Sequence, residues 1–447
     1  MEPDRRLALY VHVPFCTAKC GYCDFNSYAG QEFLIPAYTQ GLLREAEMWS
    51  NALGERWQVD TLFFGGGTPS LMPLTEMDRL LAGLRRHFAL TSGIEVTLEA
   101  NPGTVYEPYF WGLREMGVNR LSLGVQSFRD DELAFLGRIH SADEAREAYE
   151  GARGAAFDNV SLDLIFGLPG QTVERWLESL GKAIALGPEH LSVYALTVEE
   201  GTPLARDVAL GRTPAPDPDL QAELYLRAAR RLEPAGYEHY EISNWAQPGR
   251  RCRHNLTYWR NGFWLGLGAG AHSHLPGEAW NQEPGTGNQE PRTGNQELGA
   301  GGQQAASDKQ QRSGSTVPLL DRSTSPCYRF AAEAVPRRYI ELVNETWEGW
   351  QGGRLTLDDM RQVTFREEDG PARELSDTLV LGLRLSEGVS LSELEQRFGR
   401  AALESHAAAF EEAISLGLLE RADGRLRLTP RGRLLANEVF VRLLPAS

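Results

Sequence analysis

The sequence predicts an α/β protein: six βα units over residues 1–246, followed late in the chain by a smaller α+β unit at 375–447. Three observations predict this. Short β-rich runs alternate with helical stretches, an order that calls for right-handed crossovers and a parallel sheet. Apolar residues make up 42% of the chain, enough for a sizeable core. The final stretch then reads helix, helix, helix, hairpin, which is the order of a winged helix.

The strands are expected at Leu7–Pro14, Val59–Gly67, Ile94–Pro102, Asn119–Ser127, Asn159–Pro169 and His190–Val198. Three pairs in the intervening stretches have capping-box spacing: Thr75 with Asp78, Thr104 with Glu107, and Ser141 with Glu144. Periodicity does not choose between an open doubly wound sheet and a partial barrel. Either arrangement gathers ligands at the C-terminal ends of the strands. Residues 247–276 continue the edge of this unit. Residues 277–326 contain a seven-residue tandem repeat (Asn281-Gln-Glu-Pro-Gly-Thr-Gly287, Asn288-Gln-Glu-Pro-Arg-Thr-Gly294, Asn295-Gln-Glu-Leu298). Its Pro and Gly forbid a coiled coil and it has almost nothing to bury, so it reads as a disordered insertion without assigned function. Residues 327–374 connect it to the last unit. There a helix is expected near Leu375–Leu385, a capped turn at Ser390 and Glu393, and a helix over Ala401–Leu416. Asp423-Gly424 turns a hairpin over Leu418–Thr429 before a final helix.

The 447 residues carry 45 basic and 61 acidic side chains, a net charge of -16. A nucleic-acid binder would show a basic face, so that class is set aside. The start, Met1 to Arg6, is charged and unlike a signal peptide, and no apolar run approaches the roughly 20 residues of a membrane span. The chain is expected to be soluble and cytoplasmic. In that reducing setting five cysteines, three of them within Cys16-Thr-Ala-Lys-Cys20-Gly-Tyr-Cys23, point to metal chemistry rather than disulfides.

Cys16, Cys20 and Cys23 follow directly on the first strand. Three thiolates hold three corners of an iron–sulfur cubane and leave one iron open for a substrate to chelate. A structural zinc site completed by His12, Cys252 or His254 is the alternative. At the ends of the following strands stand Phe64-Gly65-Gly66-Gly67-Thr68-Pro69-Ser70, then Glu99, Gln126 and Asp163, with Arg138 twelve residues beyond Gln126. The glycines let the backbone approach a ligand. Arg138 suits a carboxylate, and an Asp or Glu suits hydroxyls or an amino group.

The cysteine loop resembles the signature of the radical S-adenosylmethionine (SAM) superfamily. Its context, Tyr10-Val-His-Val-Pro-Phe-Cys16, is similar to the oxygen-independent coproporphyrinogen III oxidase branch. The resemblance runs from about Leu7 to Leu275 and resumes from about Tyr328. It implies a partial (β/α)6 radical SAM barrel followed by a small winged-helix-like α+β C-terminal domain. It implies a [4Fe–4S] cluster on Cys16, Cys20 and Cys23 that passes one electron to SAM, giving methionine and a 5′-deoxyadenosyl radical. The resemblance also places SAM against Tyr10, Tyr22, Gly66, Gly67, Thr68, Glu99, Gln126, Arg138 and Asp163. Within the branch the oxidase carries a further cysteine two residues after the third ligand, where this chain has Phe25. That substitution resembles the HemW-type heme chaperones, as does Arg253-His254-Asn255-Leu-Thr-Tyr258-Trp259. The resemblance thus implies heme as cargo and recipient hemoproteins as partners, with His254 as an axial ligand and Tyr258 and Trp259 against the macrocycle. A dimer stays open. The oxidase remains the alternative function.

Overall fold

The computed structural model describes residues 5–54, 57–279, 326–353 and 355–445. The repeats of the expected insertion lie outside them.

Six βα units come first. Strand β1 (Arg5–Val13) leads through the cysteine loop to α1 (Ile35–Leu53), then β2 (Trp57–Gly66), α2 (Leu74–His87), β3 (Ala89–Ala100) and α3 (Glu107–Glu115). Next come β4 (Arg120–Gln126), α4 (Ala142–Gly154), β5 (Val160–Phe166), α5 (Val173–Leu186), β6 (His190–Ala195) and α6 (Pro218–Leu232). All six strands pair in parallel and in sequence order, β1-β2-β3-β4-β5-β6. A doubly wound sheet would reverse direction at a switch point, so this order is that of a partial barrel. Alternation along β1 shows the two faces. Leu7, Leu9, Val11 and Val13 are buried under the helices, while Tyr10 and His12 point the other way, into the barrel.

Further strands extend both ends of the sheet. Beyond β6 lie β7 (Glu238–Glu241) and β8 (Asn244–Ala246), with β8 next to β6. A short helix, α7 (Arg253–Trp259), precedes β9 (Trp264–Leu267), which pairs in parallel with β1. From β9 the sheet continues through β10 (His272–Pro276), β11 (Cys327–Ala332) and β12 (Val363–Asp369), with α8 (Pro336–Gly349) packed on α1.

The C-terminal unit has its own core, including Leu375, Leu379, Phe410, Leu426 and Val439. It comprises α9 (Pro371–Gly382), β13 (Val389–Ser390), α10 (Leu391–Phe398), α11 (Ala407–Ser415), the hairpin β14 (Leu419–Ala422) and β15 (Arg425–Leu428), and α12 (Ala436–Leu443). Asp423 takes the left-handed conformation (φ 52°) at the hairpin turn.

Some local expectations give way. Ser141 and Glu144 do form a capping box on α4, and Ser390 caps α10. The pairs Thr75/Asp78 and Thr104/Glu107 do not. α2 starts one residue before Thr75, after Pro73, and α3 starts after Tyr106 with Pro108 in its first turn. Proline presets the backbone entering a helix and lacks an N–H to be capped, so it displaces the threonine. The helix expected over Ala401–Leu416 is two helices, Arg400–Glu404 and α11. Between them Ser405 Oγ bonds the Ala402 carbonyl (2.7 Å), a side-chain bond that competes with continued helix.

Candidate functional site

A cavity of about 440 Å³ opens at the C-terminal ends of β1–β6. The cysteine loop forms one wall because β1 ends at Val13 and the chain turns over the rim; Phe15–Cys16 pairs with Tyr28–Ala29 to close the loop on itself. Cys16, Cys20 and Cys23 all line the cavity, and Cys252 and Cys327 do not. Lys19 Nζ ties the loop together by donating to the carbonyls of Phe25 (2.9 Å) and Ser27 (3.4 Å). Burial pushes the Cys23 thiol up, opposed by the Phe25 backbone N–H and, less, by Lys19.

The glycine run brings the backbone against this wall. A Cβ on Gly67 would lie 2.7 Å from the Phe15 carbonyl oxygen and 3.0 Å from Cys16 Sγ. Gly66 has φ +113°, and its Cβ would strike the His12 ring at 2.6 Å. Thr68 Oγ1 donates to Cys16 Sγ (3.5 Å). These close contacts are the reason only glycine fits there.

Opposite stand the polar groups. Glu99 Oε2 accepts the Gly66 N–H (3.2 Å), and its pKa is pushed up to about 8 by burial and then by Asp163. Asp163 is raised by burial, against hydroxyl donation from Ser192, Ser122 and Ser161 and the charge of Arg120. Both Asp163 oxygens lie 3.1 Å from Ser122 Oγ. Arg138 reaches across from beyond β4: Nη2 donates to the Gly124 carbonyl (2.8 Å), Nη1 to Cys20 Sγ (3.5 Å), and its buried Nε has no hydrogen-bond partner. Gln126 ends β4 in the left-handed region (φ 67°) and lines the cavity with Tyr22.

The structure thus brings together Cys16, Cys20, Cys23, Tyr22, Gly66, Gly67, Thr68, Glu99, Gln126, Arg138 and Asp163 around one space. Tyr10 is not on its lining. It lies inside the barrel, stacked on Phe63 (6.2 Å between centroids). His12 Nε2–H donates to the Asn26 carbonyl (2.8 Å), which leaves Nδ1 to accept from the Tyr10 hydroxyl (3.0 Å). With both nitrogens engaged, His12 is not available as a fourth metal ligand.

The residues expected to meet heme, His254, Tyr258 and Trp259, lie away from this cavity. α7 lies away from the cavity rim, where Glu95, midway along β3, accepts the N–H groups of Arg253 (3.1 Å) and His254 (3.0 Å). A carboxylate is favoured at this helix start, and it anchors the motif there. His254 is 1% exposed, with Nδ1 bonded to Thr61 Oγ1 and Nε2 to Tyr258 Oη, each at 2.8 Å. Burial, and then Arg120, pushes its pKa down to about 3. Tyr258 packs edge-on against Trp264, and the Arg384 guanidinium sits 4.4 Å over Trp259. His254 is packed into the barrel floor with both ring nitrogens hydrogen-bonded, and Tyr258 and Trp259 are half-buried beside it. Two apolar residues flanking one small polar residue hid the opposite surprise. Leu121-Ser122-Leu123, Val160-Ser161-Leu162 and Leu191-Ser192-Val193 put three serines around Asp163, and only the repetition of that triplet on successive strands would have revealed them.

The donor set fits the group the loop suggests: three thiols, no fourth cysteine or histidine among the described residues of the cavity lining, and a glycine cradle that a single methyl would fill. The comparisons agree. Residues 10–183 match the Radical SAM superfamily and residues 371–435 the HemN C-terminal domain. Fold and site together define a radical SAM protein carrying a HemN-type C-terminal domain, one that uses a [4Fe–4S] cluster and SAM. The heme chaperone HemW of Bacillus subtilis is 32% identical over 434 residues, covering 96% of this chain and 97% of that one. HemW of Escherichia coli is 44% identical over 271 residues, 60% of this chain and 70% of that one. The chain belongs to the HemW family. Among solved structures, coproporphyrinogen III oxidase (HemN) from Escherichia coli superposes with a TM-score of 0.74 over 99% of this chain and 90% of that one. At 20% identity it shows the shared fold alone.

Proposed function

We propose that the protein is a cytoplasmic heme chaperone that binds heme and transfers it to recipient hemoproteins, using its [4Fe–4S] cluster and SAM. The observation that carries this over the oxidase alternative is Phe25. It lies on the cavity wall, 59% exposed, where the resemblance places the oxidase's extra cysteine. A side chain without a thiol supplies neither a ligand nor a hydrogen donor there. Among the described residues no helix is long and apolar enough to cross a membrane.

Cys16, Cys20 and Cys23 would hold the cluster, which when bound supplies one electron to the sulfonium of SAM. Arg138 places a positive charge beside Cys20 Sγ, and its unpartnered Nε suits the methionyl carboxylate. Glu99 and Asp163 stand across the cavity for an amino group or ribose hydroxyls, with the serines fixing Asp163. Gly66 and Gly67 keep the approach open, and Tyr22 and Gln126 complete the wall.

The test is anaerobic reconstitution of the full chain, followed by parallel heme titration and coproporphyrinogen III conversion with SAM and a reductant. Saturable heme binding without decarboxylated product is expected. Appearance of the decarboxylated porphyrinogen would reverse the assignment.

A further inference from the structure

We propose that His274, Cys327 and Glu374 form a zinc site, separate from the cluster cavity, that fastens the C-terminal unit to the extended sheet. Their ligand atoms all lie within 4.8 Å of one another, and the three residues are 0%, 1% and 1% exposed. They come from three elements: β10, β11 and the first turn of α9.

The histidine geometry points the same way. Nδ1 of His274 is 2.9 Å from the Gly262 carbonyl oxygen, which can only accept, so Nδ1 carries the proton. Nε2 then faces Glu374 Oε2 at 3.3 Å with a thiol alongside. An imidazole whose far N–H is held by a backbone carbonyl is the usual arrangement of a metal-bound histidine. A carboxylate, a thiol and an imidazole nitrogen converge here in a dry site, and that donor set is one zinc takes.

Two guanidiniums and an amide also reach the carboxylate from outside the trio. Arg329 makes its shorter contacts to Asp369 (2.6 Å) and Asp377 (3.0 Å), and meets Glu374 only at 3.6 Å. Arg397 is 3.8 Å from the other Glu374 oxygen, Oε1. Asn261 Nδ2 donates to Oε2 (3.2 Å) and orients the carboxylate.

The experiment uses the full chain purified anaerobically, with iron and zinc measured by mass spectrometry before and after zinc addition and gel filtration. Wild type is expected to hold a single zinc ion in addition to cluster iron. Cys327→Ser should weaken zinc binding by at least about tenfold, while Cys252→Ala should leave it unchanged. A variant with Cys16, Cys20 and Cys23 all changed to Ala loses the cluster and retains thiols only at Cys252 and Cys327. Adding cobalt(II) to it should give a sulfur-to-cobalt charge-transfer band, an outcome that does not depend on Cys327→Ser folding. No zinc on wild type, equal zinc on Cys327→Ser, or no cobalt–thiolate band would each overturn the site.

Discussion

At Gly67 one methyl group separates an open rim from a blocked one. Gly67→Ala would drive its Cβ to 2.7 Å from the Phe15 carbonyl and 3.0 Å from Cys16 Sγ. Backbone and ligand must then shift, at a cost of about 1–3 kcal/mol. The expected result is a chain that folds but retains less than about half the cluster iron after reconstitution, read by iron content and visible absorption. Glu99 makes a different prediction. The folded chain holds its proton to about pH 8, whereas the unfolded chain releases it near its ordinary value of 4.5. Between those values the folded state binds more protons, so stability falls as pH rises and levels off above the upper one. Urea unfolding across that window should show a shallower decline for Glu99→Gln than for wild type. A parallel decline in both would show that Glu99 is not the group responsible. The cysteines were legible because their spacing is local and their chemistry rare. The serines of Asp163 were not, since a lone serine in a strand carries no sign of what faces it across the sheet.

Elements were legible wherever one signal dominated. The strands followed from apolar runs, and the capping box on α4 from Ser141 and Glu144 acting alone. Ser141→Ala should therefore lower stability by about 1 kcal/mol, visible as a lower thermal midpoint. Where two signals competed, spacing misled: Pro73 and Pro108 moved the starts of α2 and α3 away from the threonines. α7 shows the same limit in its placement. Its motif is plain in the sequence, but only the pairing of its first N–H groups with Glu95 sets it at the floor of the barrel. His254→Ala would strand the Thr61 and Tyr258 hydroxyls in a buried site. A loss of about 2–4 kcal/mol in chemical denaturation is expected, with heme affinity of the folded fraction unchanged. Abolition of heme absorbance in a variant that remains folded would restore His254 as a ligand.

The whole molecule is joined by a buried carboxylate that no motif announces. Glu45 on α1 accepts from Tyr339 Oη on α8 (2.5 Å), from the Gly268 N–H after β9 (2.8 Å) and from Gln362 Nε2 (3.5 Å). Burial lifts its pKa to about 6. Glu45→Ala leaves those donors unanswered and should cost about 3 kcal/mol, broadening the unfolding transition as α8 detaches from the barrel. A sharp transition at the wild-type midpoint would refute that coupling. The amino-acid sequence by itself determined the alternating βα order, the three-thiol loop, the glycine approach and the missing thiol at Phe25. All of these are carried by residues near one another in the chain, where spacing and side-chain chemistry act directly. Tertiary structure alone decided that the sheet curls in strand order into a partial barrel, that His254 is packed rather than presented, and that Glu45 and the His274–Cys327–Glu374 trio bind distant segments. Those outcomes depend on which groups meet across the sheet and between units, and burial converts such meetings into energies that local spacing does not encode.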